Sequence, residues 1–201
     1  SPDHNGSGSS NTRQERYDTD GRVVWSMDER GFITHREYDD ETGALTKLIE
    51  DVDMTTITDP DKPAWTTPTG GGQHLVSDYS HDARGRITEV LGPEHAVYLS
   101  GTTSTNVRTA QWTVYDDANH ETQTALGYAT GTSSYTYTLV NPVSITRTDA
   151  DGRVTEQIAG TTSSTSGSLT AGGTFSQGAY TRWTVNNYTK TLLDSTKVYY
   201  L

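Results

Sequence analysis

The sequence predicts an all-β protein, an antiparallel β-hairpin ribbon with long loop insertions, and three observations lead there. Asp-x-x-Gly recurs from Asp18 to Gly21, Asp28 to Gly31, Asp40 to Gly43, Asp82 to Gly85 and Asp149 to Gly152, and Asp116 to Asn119 keeps the spacing with asparagine in the glycine place. The turns lead into runs rich in β-branched and aromatic residues: Arg22 to Met27, Phe32 to Tyr38, Arg86 to Val90 and Arg153 to Ile158. No window holds apolar residues at helical spacing for long enough to compete.

Each turn follows from its residues. The aspartate side chain accepts a backbone N–H two residues on, and glycine or asparagine then takes the left-handed conformation that a Cβ makes costly elsewhere. The chain divides accordingly. Residues 1–16, rich in Gly, Ser and Asn, are expected to be a disordered lead; 17–53 hold two regular repeats; 54–78 form an irregular insertion. Residues 79–201 read as elongated repeats at 79–114, 115–147 and 148–185, with a partial fourth at 186–201. Each elongated repeat opens on the turn and gives a strand ending at Gly92, Gly127 or Gly160. It then passes through a Thr/Ser/Gly-rich stretch and returns on a strand such as Gln111–Val114, Val143–Thr146 or Tyr180–Val185. The polar stretches Ser100 to Asn106, Ala129 to Ser134 and Thr161 to Gly178 are expected to be loops. Recurrence of this kind marks an array whose units bury their core by stacking on neighbours.

Tyr17-Asp18-Thr19-Asp20-Gly21-Arg22-Val23, followed by Asp28 to Thr34 and then Tyr38-Asp39-Asp40-Glu41-Thr42-Gly43, resembles the YD repeat of the Rhs family. Two linked units carry the resemblance from Tyr17 to about Asp51, and single units carry it at Tyr79 to Thr88, Tyr115 to Thr122 and Thr148 to Thr155. The resemblance implies a hairpin ribbon belonging to a large secreted or surface polypeptide, hence an extracellular or cell-surface location. It makes Tyr17, Tyr38, Tyr115 and the turn residues structural. It implies as partners the rest of the parent repeat chain, with surface glycans or other cell-surface proteins beyond it. The family's shell-closing motif, with its prolines and self-cleaving aspartates, has no counterpart in the sequence, so a ribbon is expected here rather than a container for cargo.

Composition narrows the function classes. Hydrophobic residues make up 31% of the 201, so the core is expected to be thin. Tyrosine is abundant at 12 and phenylalanine scarce at 2, as suits rings half-buried on a sheet with hydroxyls reaching water. Cysteine is absent, which excludes a disulfide framework, a thiolate metal site and a cysteine nucleophile. No stretch is long and apolar enough for a membrane span or a signal h-region. The start lacks an initiator Met and is expected to belong to an excised fragment whose export signal lies elsewhere. The net charge of -11, concentrated in residues 1–60 with 14 acidic against 6 basic side chains, argues against nucleic acid.

Candidate chemistry is sparse. Asp18-Thr19-Asp20-Gly21 and Asp149-Ala150-Asp151-Gly152 resemble half of a calcium loop, but the alternating oxygens and closing bidentate Glu are missing, so these aspartates read as turn formers and no metal is expected. His4, His35, His74, His81, His95 and His120 lack metal-ligand spacing and are expected at solvated or sheet-surface positions. There is no Gly-x-Ser-x-Gly elbow, and no catalytic residue or cofactor is expected. Trp25, Trp112 and Trp183 are platform candidates only if exposed, and the equivalent repeat places of Trp112 and Trp183 favour packing. Trp65, in the insertion Asp59-Pro60-Asp61-Lys62-Pro63-Ala64-Trp65, has no repeat-imposed place and is either a loop anchor or the ligand contact. Two classes of function follow: a non-catalytic structural or adhesive segment, and a carbohydrate or cell-wall binding module.

Overall fold

A computed structural model of the chain describes residues 12–132, 134–170, 173 and 175–201. It is all-β, with strands that pair antiparallel to their chain neighbours, and it divides into two compact units, one ending at Tyr79 and one beginning at Ser80.

The first unit contains β1 (Gln14–Tyr17), β2 (Val23–Met27), β3 (Ile33–Tyr38) and β4 (Leu45–Glu50), and the boundary falls within β5 (Leu75–His81). Strand order follows chain order. The register places Trp25 opposite both Arg16 and His35, and His35 opposite Ile49. Cross-strand partners share a face, so these four side chains form one row. Trp25, Ile33, Ile49, Val52 and Met54 make the core, with Ile57 and Trp65 of the insertion packed against it. The lead begins the fold earlier than the sequence predicts: Gln14 to Arg16 are strand, because β2 offers them a hydrogen-bonding edge. Residues 1–11 lie outside the described residues.

The second unit continues as β6 (Ile87–Ser100), β7 (Thr103–Asp116), β8 (Glu121–Thr130), β9 (Thr136–Thr148), β10 (Val154–Gly160), β11 (Tyr180–Thr189) and β12 (Leu192–Tyr200). Its core gathers Leu91, Trp112, Leu139, Val143, Ile145, Ile158 and Tyr180 with small residues Ala110, Ala125 and Ala129. Gly127 is required by this packing. A Cβ there would stand 2.2 Å from the Thr138 carbonyl oxygen and 2.6 Å from the Trp112 ring.

Two expectations about the hairpin tips are corrected. Ser100 to Asn106 is not a loop, since β6 and β7 run on past Gly92 and turn only at Gly101-Thr102, pairing Val97 with Thr105 and Ala96 with Asn106. Thr-rich sequence that reads as loop by polarity is also β-branched sequence that fits a pleated sheet. Likewise β8 passes Gly127 and ends at Thr130, so Ala129 and Thr130 are strand and not loop. The stretch from Thr161 holds no named strand, although Ser166 bridges Thr138 and Gln177–Ala179 form a single 3₁₀ turn. Asn186 does not open a new strand either: β11 continues to Thr189, and the chain turns at Lys190, whose φ is 58°.

Candidate functional site

The turn aspartates are consumed by their own turns. Asp18 Oδ1 accepts the N–H groups of Asp20 and Arg22 at 3.0 and 2.8 Å, and its Oδ2 accepts Arg22 Nε–H at 2.6 Å. Asp82 treats Arg84 and Arg86 the same way, and Asp149 treats Asp151 and Arg153 the same way. Gly21, Gly85 and Gly152 close these turns at φ of 80°, 76° and 79°. Asp28 and Gly31 form the same backbone turn, with Phe32 in the arginine place.

Each arginine then reaches a tyrosine further along the chain. The Arg22 guanidinium lies 5.0 Å from the Tyr38 ring centre, Arg86 4.0 Å from Tyr115 and Arg153 5.2 Å from Tyr188. The Tyr38 hydroxyl donates to the Val23 carbonyl at 3.1 Å and the Tyr188 hydroxyl to the equivalent Val154 carbonyl at 3.0 Å. So aspartate, arginine and the following repeat's tyrosine lock one hairpin to the next. Tyr188 is a repeat tyrosine that the sequence reading missed, because no aspartate follows it; the arginine that precedes it by 35 positions was the available signal. Tyr17 is 57% exposed, and its hydroxyl donates to Glu15.

Two turn assignments shift by one residue. Asp39, not Asp40, holds the turn before Gly43: its Oδ1 accepts the N–H groups of Glu41 and Thr42, and its carbonyl accepts Gly43 N–H. The extra residue makes a wider loop than Asp-x-x-Gly alone implies. At Asp116 the left-handed position is His120, φ 52°, while Asn119 instead donates from its backbone N–H and Nδ2 to the Asp116 carboxylate.

The indoles are placed by packing. Trp25 and Trp112 are buried, and Trp183 packs against the second core between Tyr180 and Tyr199. Trp65 is half-buried on the first core, and its Nε1–H donates to Gln14 at 3.1 Å, the geometry of a loop anchor. Trp112 Nε1–H donates to Glu89 at 2.6 Å, and Glu89 also accepts the Tyr137 hydroxyl at 3.1 Å; burial first, then that carboxylate, pushes the Tyr137 pKa up to about 12.

An open cleft of about 1040 Å³ runs along β1, β2, β3 and the insertion residues 57–63. His35 lies at its floor, and its expected surface position is overturned: it is 5% exposed and stacked on Trp25 with centroids 4.0 Å apart. The insertion covers it, which no local pattern around His35 signals. Its Nε2 is 3.2 Å from Asp59 Oδ2. Its Nδ1 and the Trp25 Nε1 are buried without hydrogen-bond partners. Burial holds the His35 pKa below the ordinary imidazole range, against the opposite pull of Asp59 and Glu37. The imidazole is therefore neutral near pH 7, donating from Nε2 to Asp59. The ion-pair partners at its two ring nitrogens are both carboxylates, Asp59 at Nε2 and Glu37 at 4.0 Å from Nδ1. His74 accepts the Asp53 N–H, His120 sits in a turn, and His4 lies outside the described residues. Among the described residues, no three His, Asp or Glu side chains converge as a metal-ligand set, and no helix is long and apolar enough to cross a membrane.

The outward face of β7, β8 and β9 has a different character. Thr109, Tyr128 and Thr138 form one cross-strand row, Gln111, Leu126 and Val140 a second, and Thr113, Thr124 and Ser144 a third. All nine are uncharged, and Leu126 and Val140 are exposed at 58% and 49%.

No protein-family model matches the chain, and no curated protein sequence matches it.

Proposed function

We propose that the chain is a non-catalytic structural segment of YD-repeat type, part of a large extracellular or cell-surface polypeptide in which it serves as stalk or adhesive ribbon. The observation that carries this reading is the threefold lock Asp18–Arg22–Tyr38, Asp82–Arg86–Tyr115 and Asp149–Arg153–Tyr188. The residues that make the repeat recognisable spend their polar groups on holding successive hairpins together, which commits the carboxylates of Asp18, Asp82 and Asp149 to the fold. The partners expected on this reading are neighbouring repeats of the parent chain.

A second reading, carbohydrate or cell-wall binding, is favoured by the uncharged hydroxyl-bearing face of β7–β9, where neutral hydroxyls, Gln111 and an aliphatic pair are available to a neutral glycan. The half-buried Trp65 is a poorer candidate for that role. A glycan array with a cell-wall pull-down separates the two. Silence of the wild-type chain supports the scaffold; reproducible binding lost in Thr124→Lys but kept in Trp65→Ala supports the glycan face and sinks the purely structural reading.

A further inference from the structure

We propose that the cleft of the first unit binds a zwitterion of the amino-acid type, a free amino acid or a short peptide, gripped at both charged ends by one cross-strand row. The register sets Arg16 of β1 opposite Trp25 of β2, and Trp25 opposite His35 of β3, so the three share a face. All three line the cleft, with Glu37 two residues beyond His35.

Two polar atoms of that row have nothing to bond. Trp25 Nε1 and His35 Nδ1 are buried without hydrogen-bond partners, in residues 1% and 5% exposed. Their characters are opposite. The indole N–H is a donor only. At His35 the Asp59 carboxylate, 3.2 Å from Nε2, is an acceptor, so the ring proton sits on Nε2 and Nδ1 is a bare acceptor. Dry, unpaired polar groups are costly, and a single ligand carrying an acceptor for the indole and a donor for the imidazole satisfies both.

Charge runs the same way along the row. On the β1 side Arg16 is exposed and makes no ion pair among the described residues. On the β3 side Glu37 Oε1 stands 4.0 Å from Nδ1, a spacing at which one ligand nitrogen lies about 2.8–3.0 Å from both. A primary ammonium donates one N–H to each, while the ligand's carboxylate accepts from Trp25 Nε1 and the Arg16 guanidinium. Lys47 already donates to Glu37, more closely to Oε2 at 3.1 Å than to Oε1 at 3.4 Å, and Oε1 keeps a lone pair for the ligand. Access is through Glu37, whose side chain is 44% exposed and free to swing aside. The donor and acceptor sides are one to two strand spacings apart, about 5–10 Å, which an amino acid or a dipeptide spans. A pure cation would face Arg16, and a pure anion would face Glu37 and Asp59.

NMR of the whole chain, following the Trp25 indole N–H and the His35 ring nitrogens, tests this with the standard amino acids and Gly-Gly as probes. At least one probe is expected to shift both signals saturably. Binding by an amino acid and not by Gly-Gly assigns the free amino acid, and the reverse assigns the short peptide. The N,N,N-trimethyl derivative of the bound probe has no N–H, and its methyl ester has no carboxylate; each is expected to bind about tenfold more weakly or worse. Arg16→Ala, a change at an exposed position, is expected to weaken the bound probe by about tenfold as well. Silence across all probes overturns the proposal. So does a trimethyl derivative that binds as tightly as its parent, or an affinity unchanged in Arg16→Ala. If Arg16→Ala fails to fold, the two derivatives on the wild-type chain decide.

Discussion

Arg22, Arg86 and Arg153 each do two jobs, saturating a turn aspartate with the guanidinium edge and covering a tyrosine with its face, which is chemistry a lysine cannot copy. At Tyr38 and Tyr188 the hydroxyl adds a bond to the strand that begins beside the arginine. Tyr38→Phe removes only that bond, to the Val23 carbonyl, and is expected to cost about 0.5–1.5 kcal/mol in chemical denaturation. The carboxylates give a pH signature as well. Backbone N–H groups of Arg86 and Arg153, ahead of their guanidinium bonds, hold Asp82 and Asp149 below the ordinary carboxylate pKa. Folded values below the unfolded ones mean that this stabilisation is complete above pH about 4 and disappears as pH falls through the folded values. Far-UV circular dichroism from pH 5 to 2 should therefore show the turns of the second unit loosening at lower pH in the wild type than in Asp82→Asn, which starts without the pH-dependent part. In the core, Gly127→Ala is expected to cost about 1–3 kcal/mol, because the added methyl must displace the Trp112 ring or the Thr138 carbonyl.

Hairpins are the next scale, and the turn after β7 is the sharpest test of how a turn residue is assigned. His120 holds the left-handed position, where a Cβ costs about 1–2 kcal/mol and glycine is free of that cost. His120→Gly should be neutral or stabilising by up to about 1 kcal/mol, while Asn119→Gly should destabilise by removing the Nδ2 bond to the Asp116 carboxylate. A thermal melt in which Asn119→Gly is the stabilising change would reverse the assignment. The contrast shows what the sequence makes legible. Asp18, Asp28, Asp82 and Asp149 announce their turns because carboxylate, glycine and backbone N–H all lie within four residues. Asp39 and His120 were missed by one position because the loops there are longer than the motif, and motif matching has no measure of loop length. Strand ends at the tips were missed for another reason: Thr103 to Asn106 are polar enough for a loop and β-branched enough for a strand, and only pairing with Ala96 and Val97 decides. The burial of His35 was illegible locally, since it is created by Asp59, 24 residues away across the insertion.

At the scale of the whole chain, each unit has its own buried cluster, Trp25, Ile33, Ile49, Val52 and Met54 in one and the Trp112–Ile145 group in the other. A repeat ribbon is held by neighbour contacts, so damage should stay near its origin. Ile33→Ala and Ile145→Ala remove fully buried side chains and should each cost about 2–5 kcal/mol. They share no contacts within either cluster, so the double variant should equal the sum within about 0.5 kcal/mol. Gly152→Val asks the same question through the backbone, placing a β-branched residue at φ 79° where the added Cβ meets nothing within 4 Å. Because sterics at the site are open, the cost is conformational and local. Protection from hydrogen exchange should fall in the Asp149 turn and in β9, β10 and β11, which pair around it, and stay unchanged in β2 and β3. Uniform loss across both units, or a single sharp transition at a much lower temperature, would show that the cores are one cooperative globule, and a ribbon that can be lengthened or shortened by repeats would then be the wrong description of this protein.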